Sequence, residues 1–118
     1  MKKFIVWRDI SKYQKLSESF ITEFMDELDW AYITSYQDIS EQFIREYKWL
    51  IDWTYIGDKP KLSKNFYREF KSKLDWKVVS EFVKFDINFY KEFERYMWKE
   101  GIRHNRKLDL KIRKMAQK

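Results

Sequence analysis

The chain has 118 residues, 44% of them hydrophobic and 20% aromatic, and its Lys and Arg outnumber its Asp and Glu by 25 to 19, a net charge of +6. That is one domain's worth of chain, with ample apolar material for a core. Two Gly and one Pro are too few for an all-β chain of many hairpins, and the lack of Cys excludes disulfides and thiolate metal sites.

The opening, MKKFIVWRDI, places two lysines before a short apolar run that Arg8 and Asp9 end, too soon for a signal peptide. No stretch approaches the apolar length that spans a bilayer. A soluble, cytoplasmic protein is expected.

From Trp7 the chain repeats itself. Trp7, Trp30, Trp53 and Trp76 stand 23 residues apart, and other columns keep step. Ile10, Ile33, Ile56 and Val79 align, as do Leu16, Ile39, Leu62 and Phe85. So do Ser17, Ser40, Ser63 and Asp86, then Phe20, Phe43, Phe66 and Phe89, then Phe24, Tyr47, Phe70 and Phe93. Four copies follow, at about 7–29, 30–52, 53–75 and 76–98, in a repeat domain covering residues 1–100.

Each copy reads as two helices. Asp29, Asp52 and Asp75 are N-cap types directly before Trp and open a short helix carrying Trp and Ile. Ser17, Ser40, Ser63 and Asp86 cap a second helix of roughly three turns, whose apolar stripe in the first copy is Phe20, Ile21, Phe24 and Leu28. A pair this small cannot bury its apolar face alone. The expected fold is therefore all-α: four helix-turn-helix repeats stacked as a short solenoid or compact bundle, plus a basic C-terminal helix.

In the third copy, Gly57 and Pro60 predict a short helix broken or replaced by a loop. The fourth copy ends irregularly, with Trp98 before Lys99. Residues 1–53 carry net −3, residues 54–100 net +3, and residues 101–118 net +6. In that last segment Arg103, Lys107, Lys111, Lys114 and Lys118 recur at helical spacing beside a seam of Leu108, Ile112 and Met115. With Arg106 and Arg113 they predict a basic amphipathic helix or tail that meets phosphates or an acidic protein surface. The alternative is a solvated terminal helix packed by its seam.

Catalytic patterns are missing. His104, the single histidine, lies among arginines and reads as basic surface. Glu23, Glu46, Glu69 and Glu92 lie a full repeat apart and read as pairing partners for neighbouring Lys or Arg. Two glycines cannot build a phosphate loop, and no nucleophile has an evident base, so neither an enzyme nor a cofactor is expected. Trp49 shares its column with the polar Asp26, Ser72 and Arg95 and should face solvent. It and Trp98 are candidate anchors for a partner. Tyr13 and Tyr36 are weaker candidates, in a column whose third member is Lys59.

The phrase DW..IS.YQ.LSE.FI.EF, read in residues 10–24 and 29–47, resembles short repeats of bacteriophage and large DNA virus proteins. The similarity spans about residues 6–76 and implies no particular activity. The small, Lys- and aromatic-rich character also resembles phage anti-CRISPR proteins, within them the inhibitors of the type VI-B RNA-guided RNase. That resemblance implies a protein of the infected host's cytoplasm that binds the effector or its guide RNA, with residues 99–118 near RNA. A general RNA- or DNA-binding module and a viral protein–protein repeat are the alternatives.

Overall fold

A computed structural model describes residues 6–59 and 61–117. Pro60 and Lys118 lie outside them. The all-α expectation holds: the described residues form ten short α-helices and one 3-10 turn, with no strand. None of these helices is long and apolar enough to cross a membrane.

The helices come in pairs that follow the repeat. The first copy gives α1 (Trp7–Tyr13) and α2 (Glu18–Glu23), and the second gives α3 (Trp30–Tyr36) and α4 (Glu41–Glu46). The third gives α5 (Trp53–Ile56) and α6 (Lys64–Glu69), and the fourth α7 (Trp76–Phe82) and α8 (Ile87–Phe93). Every expected cap on the second helices is made. Ser17, Ser40, Ser63 and Asp86 accept from the N–H groups of Phe20, Phe43, Phe66 and Phe89. Asp29 accepts from Ala31 and Tyr32 N–H, and Asp75 from Lys77 N–H.

The second helices are shorter than three turns. α2, α4 and α6 have six residues each and stop at Phe24, Tyr47 and Phe70. A turn then carries the chain on to Leu28, whose N–H still reaches the Phe24 carbonyl at 3.2 Å. The next copy's tryptophan holds that turn: the Trp30 indole donates to Met25 O at 2.9 Å, and the Trp76 indole to Lys71 O at 2.8 Å. Each Trp also lies against the aromatic 17 residues on, Phe24, Tyr47, Phe70 or Phe93, with ring centroids 4.9–6.0 Å apart.

Two polar devices join successive copies. Ser11, Thr34 and Ser80, all fully buried, donate to the carbonyls of Trp7, Trp30 and Trp76. Each hydroxyl also accepts the N–H of the residue 18 positions on: Asp29, Asp52 and Trp98 respectively. Buried amides supply the second device. Gln37 Nε2 donates to Ser11 O and Gln14 O, and its Oε1 accepts from Leu16 N–H. Asn105 Nδ2 donates likewise to Ser80 O and Val83 O. Both satisfy carbonyls that the end of a short helix leaves without partners.

The chain divides into two compact units, Met1–Asp52 and Trp53–Lys118. In the first, α1 packs on α3. The core there includes Ile21, Leu28, Ile33, Phe43 and Ile44. In the second, α7 packs on a helix of residues expected to be tail, α9 (Lys99–His104). Phe66, Tyr67, Val79, Tyr90 and Phe93 form much of its core.

This packing corrects the expected C-terminus. In place of one basic helix over 101–118 there are two, α9 and α10 (Leu110–Met115), separated by the turn at Asn105. They form a fifth copy. Ile102, Leu108, Asp109, Ile112 and Ala116 each lie 23 residues beyond Val79, Phe85, Asp86, Phe89 and Phe93. Asp109 caps α10 by accepting from Lys111 N–H at 2.7 Å, as Asp86 caps α8. Ile102, Leu108, Ile112 and Ala116 are buried, so these residues belong to the core of the second unit and not to a detachable tail. The helical spacing from Arg103 to Lys114 is broken by the turn, and these cations do not share one helix face.

The third copy departs as expected: α5 is a single turn. Gly57 serves close packing there, since a Cβ at this position would lie 2.8 Å from Val79 Cγ2.

Candidate functional site

Charge follows the two units. Residues 1–52 carry seven Lys and Arg against ten Asp and Glu, and residues 53–118 carry eighteen against nine. The first unit is thus net −3 and the second net +9.

Trp49 is 79% exposed, as its polar column implies, with Lys48 Nζ 4.6 Å from its ring. Trp49→Ala should therefore leave the melting temperature within the scatter of surface substitutions, about 0.5 kcal/mol in stability. A large drop on thermal melting would show that the indole is packed. Trp98, 40% exposed, has a structural share as well. It is the N-cap of α9, its N–H goes to Ser80 Oγ, and its ring lies over Gly101, where a Cβ would approach Cε3 to 2.9 Å. Tyr13 and Tyr36 are exposed but engaged: Lys12 Nζ sits 5.1–5.4 Å from the rings of Tyr13, Tyr32 and Tyr36.

The cations of the last copy separate. Arg103 pairs with Glu100 at 3.0 Å. Arg113 is partly buried, its Nε without a hydrogen-bond partner. Arg106 and Lys114 are exposed. Lys107 and Lys111 instead line a groove that the sequence did not reveal. One stretch of it, about 480 Å³, runs between the turn after α5 and the turn after α7, and Lys107 lines it too. A second stretch, about 570 Å³, continues past Lys84 to α10 and Lys111.

Six lysines line the two stretches, Lys59, Lys61, Lys64, Lys84, Lys107 and Lys111, against Asp58, Asp86 and Asp109. Asp86 and Asp109 are committed to their helix caps. The aromatic side chains of Phe82, Phe85 and Phe89 lie in the same groove. Phe82 is the next member of the Tyr13, Tyr36, Lys59 column and, like those tyrosines, is well exposed, at 49%. That column was the available signal. The lysines come from three copies, and no spacing announces their meeting.

No group of three or more His, Asp or Glu side chains able to hold a metal ion occurs among the described residues. His104 Nδ1 lies 2.8 Å from Glu100 O, within its own helix. In the glutamate column, Glu92 makes a two-pronged ion pair with Arg68, whose hydrogen bonds hold the Glu92 carboxyl below the usual carboxylate range. A depressed carboxylate contributes stability above its unfolded pKa and loses it as pH falls through the folded pKa. The melting-temperature gap between the protein and Arg68→Gln should therefore be small, present at neutral pH, and closed in acid. A gap unchanged down to strongly acidic pH would mean that the pair does not form.

Comparison with protein families, curated proteins and solved structures finds no match.

Proposed function

We propose that the chain is a non-catalytic binding protein whose target presents nucleic-acid phosphates to the second unit. One observation carries this reading: lysines from three successive copies line one groove with aromatic side chains among them. Lysine ammonium groups neutralise phosphates and release their counterions. The resemblance of the repeats to phage proteins makes the guide-RNA complex of a host CRISPR nuclease the target of choice.

Deleting residues 101–118 cannot test this, because it removes buried Ile102, Leu108 and Ile112 along with the charge. The combined substitution of Lys61, Lys84, Lys107 and Lys111 by Gln leaves the core in place. It should weaken RNA binding and flatten its dependence on log salt by about 0.7 for each single-strand phosphate no longer neutralised. Fluorescence anisotropy over a salt series measures both. Unchanged affinity and slope would end the reading.

The exposed Trp49 supports a second reading, docking on a protein surface through the first unit. Capture of the nuclease lacking its guide RNA, lost in Trp49→Ala and kept in the lysine variant, would favour it.

A further inference from the structure

We infer that the groove of the second unit takes a single strand of RNA, stacking a base on Phe82 and reading no sequence; this rests on the phosphate-binding reading above. The floor and the rim of the groove differ in chemistry. Phe85 and Phe89 are nearly buried and stack on each other with centroids 5.2 Å apart, which makes an aromatic floor. Phe82 closes α7 beside them, yet leaves about half of its surface to solvent. Around them stand Lys84, Lys107 and Lys111, all exposed.

A ligand that suits this arrangement has flat apolar faces and a line of negative charge along its edge. Unpaired nucleotides have both. A duplex has the charge but keeps its bases stacked inside, where Phe82 cannot reach a face. The cations that line the groove are lysines without exception among the described residues. An ammonium is a point charge, without the planar fork with which arginine grips a guanine edge in two places. The groove therefore holds the backbone and one or more base faces, and has little with which to choose between bases.

The test uses the full chain with short uridine and adenosine homopolymer RNAs, each alone and annealed to its complement, in anisotropy titrations over a salt series. Both single strands should bind about tenfold tighter than the duplex, the advantage of one base free to stack. Phe82→Ala should weaken single-strand binding about tenfold, the loss of one stacked base, and leave the salt slope unchanged. Phe82→Trp, which keeps a stacking face, should retain binding and controls for folding, alongside circular dichroism of both variants. Lys84→Gln should lower the slope by about 0.7. Equal binding of duplex and single strand, or wild-type affinity in a folded Phe82→Ala, overturns the single-strand inference while phosphate binding stands. Failure of every RNA to bind at low salt overturns both.

Discussion

Phe93→Ala is expected to destabilise the protein by about 3–5 kcal/mol, the cost of emptying a buried aromatic site that cannot collapse. Phe93 is 2% exposed and meets three rings, Phe89 at 4.7 Å, Trp76 at 5.3 Å and Tyr67 at 6.2 Å. These rings come from α6, α7 and α8, so the void would sit where the third and fourth copies join. A chain of this length has a margin of roughly 6–18 kcal/mol at typical stability per residue. The loss is thus a large share of it, and urea denaturation would show it as a lower midpoint. A change under about 1 kcal/mol would mean that the site fills by rearrangement.

The fifth copy explains why this column is demanding only where its Trp is present. There the Trp column holds Lys99 and the Phe93 column holds Ala116. With no indole to cover, a methyl group suffices, and Ala116 is 2% exposed all the same.

Gln37→Ala is the second large effect, about 3 kcal/mol. It strips the carbonyls of Ser11 and Gln14 of a donor and the Leu16 N–H of its acceptor, in a place where water does not readily replace them. Gln37→Glu is a sharper probe. Its carboxylate would face two carbonyl oxygens with no proton to give, so that variant should lose more stability at neutral pH than in acid, where a protonated carboxyl can donate once. Melting temperatures of the two variants against pH would show it. Equal losses at both pH values would mean that the amide is not the link between the first two copies.

Much of this architecture was legible because it is local. An N-cap reaches three residues, a helical stripe three or four, and both leave their mark at fixed spacing. The 23-residue columns, the capping Ser and Asp, the exposure of Trp49 and the clipped third short helix all follow from such short-range rules. The fifth copy obeys the same rules through Ile102, Leu108, Asp109 and Ile112. Its missing Trp and its density of Lys and Arg instead suggested a tail, because charge pattern alone cannot tell a solvated helix from the outer face of a packed one.

The sequence by itself therefore determined the helix pairs, their period and the acidic-to-basic gradient. Only the tertiary structure decided that residues 101–118 belong to a core, that Gln37 and Asn105 span 22 to 26 residues to close the preceding copy, and that Lys61, Lys84, Lys107 and Lys111 line one groove. The physical reason is separation along the chain. Which carbonyl an amide meets, and which lysines share a groove, depends on how copies stack. That stacking is set by the summed packing of many apolar side chains, with no single spacing to mark it.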